Sequence, residues 1–114
     1  MRSRKPEQTF SQDLSSAALS FTTTTPNDKS FRLDSVYLHF SQAVSETVTI
    51  TLDSKNGVNY DSVIQEVVLV SETDYIFRPQ GRSEFDAGDE IKVQCTNTGV
   101  AGTVRGGVKT SEVS

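Results

Sequence analysis

Alternation with a period of two is the feature that most narrows what this chain can become. Over residues 46–53, Val48, Ile50 and Leu52 are apolar while Thr47, Thr49 and Thr51 are polar. Ile91, Val93 and Cys95 alternate in the same way with Lys92, Gln94 and Thr96. Side chains on a strand point to opposite faces in turn, so each run has one apolar face and one wet face. Both runs are therefore strands of a sheet covered on one side, which is the habit of antiparallel sheets.

The second run closes a longer stretch, residues 72–97, that reads as strand, crossing, tight turn, strand. Tyr75, Ile76 and Phe77 are β-formers, and Pro79 and Gly81 end their run. Asp86-Ala87-Gly88-Asp89 is a turn, because Asp can bond nearby backbone and Gly88 can take a positive φ without steric cost.

The other strands follow from the same reading. In residues 30–41, Val36, Leu38 and Phe40 share one face and Tyr37 and His39 the other. Phe31 and Leu33 are out of phase with Val36, which predicts a bulge near Asp34-Ser35. Lys55-Asn56-Gly57 predicts a hairpin turn with positive φ at its central positions. Residues 61–70 are nearly continuous apolar sequence, so that run is expected to be covered on both faces or to lie at a subunit contact. Residues 10–25 fit a helical stripe through Phe10, Leu14, Ala17, Ala18 and Phe21, and equally a strand through Ala17, Leu19, Phe21 and Thr23. Four threonines from Thr22 favour a strand near 16–25. Gly106-Gly107 mark a bulge or a close backbone approach in a last strand, and residues 109–114 are expected on the surface. The fold class is all-β: a single antiparallel β-sandwich, jelly-roll-like, of about seven or eight strands. It spans residues 10–114, with residues 1–9 as an extended N-terminal arm.

Composition agrees with this and restricts function. Ser and Thr fill 28 positions and Val 13, against 5 Ala, so helix formers are scarce. Only 34% of residues are hydrophobic, a thin core for a small domain, which leaves burial for a partner to supply. The formal net charge of −4 is uneven. Arg2, Arg4 and Lys5 lie within the first five residues, and the rest of the chain holds 8 basic against 15 acidic groups, a balance of −7. Such a body repels nucleic acid. The basic arm is either a frayed terminus or a docking segment, with Phe10 beside it as an apolar anchor. A single cysteine excludes an internal disulfide, there is no apolar leader, and no run reaches the length of a membrane span. A reducing cytoplasm is the expected site of synthesis and folding, with no membrane partner.

No chemistry is legible. His39 points away from the apolar face of its strand while Cys95 lies on the inward face of its own, so a nucleophilic pair is not expected. One His and one Cys cannot make a zinc site. Asp86, Asp89 and Glu90 could offer oxygens to calcium, and residues 53–57 resemble a calcium loop, but Lys55 stands third and Gly57 fifth, so both are read as turns. Phosphate-binding glycine motifs are absent. The expectation is no enzyme, no cofactor and no metal. The absence of Trp weakens a sugar-binding reading.

Residues 33–41, LDSVYLHFS, followed by Thr49-Ile50-Thr51-Leu52-Asp53-Ser54, Tyr60-Asp61-Ser62-Val63, Thr73-Asp74-Tyr75-Ile76-Phe77, Ala87-Gly88-Asp89-Glu90-Ile91-Lys92-Val93 and Thr96-Asn97-Thr98, form an order of motifs. This order resembles the small β-sandwich virion structural proteins of tailed bacteriophages, over roughly residues 30–98. The resemblance implies a capsid decoration (cement) protein or a tail or fibre component. It carries over no catalytic residue. It implies a major capsid protein or another virion protein as partner, location in the virion after assembly in the host cytoplasm, and no nucleic-acid ligand. The apolar 61–70 run adds the expectation of a homo-oligomer, a trimer by match to capsid three-fold positions. The alternative is a receptor- or glycan-binding module of a tail fibre or adhesin, which would cluster exposed aromatics at one end of the sandwich.

Overall fold

The computed structural model describes residues 7–23, 30–57, 59, 61–79, 84–98 and 102–112. Its strands in chain order are β1 (Glu7–Asp13), β2 (Leu19–Thr22), β3 (Phe31–Val44), β4 (Thr47–Asp53), β5 (Ser62–Val68), β6 (Glu72–Phe77), β7 (Glu84–Phe85), β8 (Glu90–Cys95) and β9 (Thr103–Glu112). Among the described residues no helix is long and apolar enough to cross a membrane. One sheet has the order β1-β9-β3-β6, with short β7 pairing with the start of β3, and the other has the order β2-β8-β4-β5. All pairings are antiparallel. With β7 set aside, the pairs β1·β9, β2·β8, β3·β6 and β4·β5 nest one inside the next and alternate between the sheets. That nesting is the topology of a jelly roll. The expected antiparallel sandwich is therefore what these residues form.

The core lies between the sheets and is built by the alternation. Val48 lies opposite Cys95, Ile50 opposite Val93 and Leu52 opposite Ile91. Ile50, Val93 and Ile91 are fully buried, and burying each such side chain contributes about 1.5 to 3 kcal/mol. The predicted bulge is present: the β3–β9 register shifts between Leu33 and Ser35. It brings Phe31 and Leu33 into the core together with Val36, Leu38 and Phe40.

Four expectations need correction. Residues 7–9, assigned to a free arm, belong to β1 and lie opposite Lys109, Val108 and Gly107 of β9. Of the strand expected near 16–25, the described part, residues 16–23, holds β2 at Leu19–Thr22 and residues 24–25 lie outside the described residues, while residues 14–16 form a turn after β1. Residues 109–112 are in β9 rather than a surface tail, and Thr110 is buried. In the turn at 55–57 only Gly57 has a positive φ, of 108°. Gly57 N–H donates to the Ser54 carbonyl at 3.1 Å, and the chain runs on to Ser62 before pairing again.

Asp89 fixes the other turn. Its N–H donates to the Asp86 carbonyl at 3.1 Å, and its carboxylate accepts from Asp86 N–H at 3.1 Å and Lys55 N–H at 3.0 Å. One buried carboxylate thus joins two turns at one end of the sandwich. Gly106 is the close approach anticipated in the last strand. A Cβ there would fall on the Tyr37 carbonyl and within 2.7 Å of the Phe10 ring.

Candidate interaction surface

Arg2, Arg4 and Lys5 lie outside the described residues. Phe10 corrects the sequence reading. It is 9% exposed, and its ring lies 5.0 Å from that of Phe21, tilted by 37°. The ring is therefore not a free anchor beside the arm. It closes the β1–β2 side of the sandwich, as an aromatic pair at this separation is suited to do. His39 lies on the outer face of its sheet, where Nδ1–H donates to Asp74 Oδ1 at 2.7 Å. That bond, with one from Thr73, holds the Asp74 carboxyl below its ordinary range. Cys95 is in the other sheet and faces inward. Among the described residues no group of three or more His, Cys, Asp or Glu could hold a metal ion.

The buried polar cluster is elsewhere. Glu46, between β3 and β4, is 2% exposed. Its Oε1 accepts from Thr96 Oγ1 at 2.7 Å and from the N–H and hydroxyl of Thr98, each at 2.9 Å. Its backbone carbonyl accepts from Leu69 N–H at 2.8 Å, and the neighbouring Ser45 hydroxyl accepts from Ser71 N–H at 3.1 Å. A buried carboxylate persists only when its lone pairs are satisfied, and here they tie three connections together. Cys95 feels the same environment: burial first, and the Glu46 charge second, push its thiol up to about 11. Such a thiol is inert.

The Glu46 anchor shapes the far side of the sandwich. β5 is the outer strand of one sheet and β6 the outer strand of the other, and residues 69–71 link them. Leu69 is buried, while Val70 beside it is 68% exposed. Ser71 has a φ of 53°, a left-handed conformation uncommon for a residue with a Cβ, and its bond to Ser45 helps hold it there. Along β5 a bulge at Ile64 resets the phase, because Ile50 lies opposite Gln65 but Thr51 lies opposite Val63. Ile64 and Val67 then pack on the core, while Val63 and Val68 stand outward at 61% and 68% exposure. On β6, Ile76 is 54% exposed. Between the strands runs an open groove of about 480 Å³, with residues 67–70 on one wall and Glu72 and residues 74–76 on the other. Among the described residues no lysine or arginine lines it.

No family model matches the chain, and no curated protein matches it. Two solved structures are similar over nearly all of it. A chain of the crystal structure of PirA is 14% identical, covering 99% of this chain and 96% of that one, with a TM-score of 0.46. A chain of the structure of infectious bursal disease virus Gx strain is 13% identical, covering 97% of this chain and 33% of that one, with a TM-score of 0.49. Neither likeness assigns a role.

The two sides of the sandwich differ. Phe10 and Phe21 seal one, while the β5–β6 side leaves apolar side chains in water beside two strand edges that no described strand pairs. The excess of valine in the 61–70 run pointed there, but the bulge that sorts its residues inward and outward has no marker in the sequence. Glu46 was missed although a signal existed, since it stands two residues before Val48 and in phase with it.

Proposed function

We propose that this chain is a virion structural protein of a tailed bacteriophage, acting as a capsid decoration (cement) protein that stabilises the shell by non-covalent contacts. The observation that carries the reading is the β5–β6 side, with exposed valines and isoleucine along open strand edges on a rigid body. A cement protein needs a contact surface and no chemistry. The sequence resemblance over residues 30–98 supports the same reading, as do the acidic body and the basic arm. Its partners would be the major capsid protein and further copies of itself, a trimer being the natural match to three-fold sites. The alternative, a receptor- or glycan-binding module of a tail fibre, asks for exposed aromatics. Among the described residues every aromatic ring is buried or half-buried, which favours decoration.

The test is to locate the chain in a purified particle at modest resolution, and to pellet undecorated shells with the purified protein. Decoration predicts a regular lattice of density on the shell and saturable, stoichiometric co-pelleting. Density confined to tail tips, with no pelleting at about 10⁻⁵ M, would replace this reading with the tail-fibre one.

A further inference from the structure

We propose that the groove along the β5–β6 edge is the seat of the basic arm, residues 1–6, of a second copy of this chain. The inference rests on the self-association in the proposed function and not on any particle.

Four observations lead to it. First, the groove combines apolar side chains with acids. Val68, Val70 and Ile76 stand exposed around it, and Glu72 and Asp74 form one wall with no lysine or arginine among the described residues. The hydrogen bond from His39 keeps Asp74 charged. Such a site suits a segment that is cationic and extended. Arg2, Arg4 and Lys5 supply such a segment, while the rest of the chain carries a balance of −7. Second, both walls belong to strands that are outermost among those described, and an outer edge can pair with an added extended segment.

Third, the register places the start of β1 away from its own molecule's groove. β1 and β6 are the opposite edges of one sheet, three strand spacings or about 14 Å apart. Gln8 is level with Val108, Val36 and Phe77, and Ser11 with Arg105, His39 and Asp74. β1 therefore starts level with the Phe77 end of β6 on the far edge of the sheet, whereas the groove runs from Glu72 to Ile76. A chain's own arm would have to turn back across the sheet to reach it, and another molecule's arm would not. Fourth, Glu72 and Asp74 lie together on β6 at this edge, so a second copy of the same edge brings acids and no complementary charge of its own. Like charges penalise that arrangement, whereas arm into groove pairs opposite charges and repeats head to tail, so it can close into a ring.

The experiment uses the full chain in sedimentation at tens of micromolar, in low and high salt. One variant reverses the arm (Arg2→Glu, Arg4→Glu, Lys5→Glu). Another places cations in the groove (Val68→Lys, Glu72→Lys) at positions that are exposed and outside the core. Circular dichroism confirms that each is folded. The unaltered chain is expected to associate, more weakly in salt, and each variant alone to associate about tenfold less or worse. Mixed together, the two variants should form a heterodimer, because one retains the groove and the other the arm. A monomeric unaltered chain would overturn the proposal. So would arm reversal without effect, which would assign the contact to the strand edges alone, or failure of the mixture to pair. None of these outcomes uses capsids, so shell binding by a chain that fails them would leave decoration standing and remove only this contact.

Discussion

Glu46 carries more of the structure than any other polar side chain described. Replacing it with alanine leaves Thr96 Oγ1, Thr98 N–H and Thr98 Oγ1 without their acceptor. The expected loss is about 2 to 4 kcal/mol, read as a lower denaturant midpoint, while Glu46→Gln, which keeps one acceptor oxygen, should lose about half as much. Cys95 gives a prediction with a defined sign. Its thiol is raised from 9.0 to about 11 in the folded state. The unfolded chain therefore ionises first, so this contribution is whole below about pH 9 and disappears as pH rises to about 11. Unfolding in denaturant at mildly and strongly alkaline pH should show the unaltered chain losing at most about 3 kcal/mol more than Cys95→Val. An equal loss in the two would assign the alkaline sensitivity to other groups.

At the level of elements, β1 and β9 show what was legible in the chain and what was not. β4 and β8 announce themselves because each is covered on one side and keeps strict alternation. β1 does not. Of Glu7–Asp13 only Phe10 is apolar, since an edge strand with a wet outer face can be held by its backbone pairing to β9. A polar, well-paired strand looks like a tail when only side chains are read, and residues 109–112 were misread for the same reason. The turn at 86–89 was legible, but Asp89 was weighed there as an oxygen donor to calcium and not as the buried cap that it is. Deleting residues 2–6 should leave the melting temperature within a few degrees, whereas deleting 2–9 removes the pairings of Glu7, Gln8 and Thr9 and should lower it clearly, by roughly 4 to 8 °C for each kcal/mol lost. Gly106→Ala tests the close approach between β9, β3 and β1. The Tyr37 carbonyl is backbone and cannot swing aside, so a loss of about 2 kcal/mol or more is expected. Gly57→Ala meets no atom within 4 Å and suffers only its unfavourable φ, which costs about 1 kcal/mol.

For the whole molecule, the nested pairing makes almost every contact a distant one. Glu7 pairs with Lys109 and Leu19 with Cys95. Folding is expected in the range of about milliseconds to seconds, as for other sheets dominated by non-local pairing. A circular permutant opened at the exposed turn of residues 55–57, with β9 joined through a short linker to β1, turns the longest closure into a local hairpin. Stopped-flow refolding of that permutant should be several-fold faster at similar stability. An unchanged rate would show that β1 joins β9 only after the rate-limiting step.

The position of β9 also bears on how the chain is made. It lies in the interior of its sheet, with β1 on one side and β3 on the other, yet it is the last described strand to leave the ribosome. Until it emerges, β1 lacks its partner within the sheet, β3 offers an open edge through most of its length, and Val36 and Phe40 lack Val108 and Val104 beside them. Ribosomes add about 5 to 20 residues per second, so these edges stay open to other nascent chains for seconds. Such a chain reaches its native form only once β9 has emerged, and its yield in the cell depends on keeping growing copies apart until that strand closes the sheet.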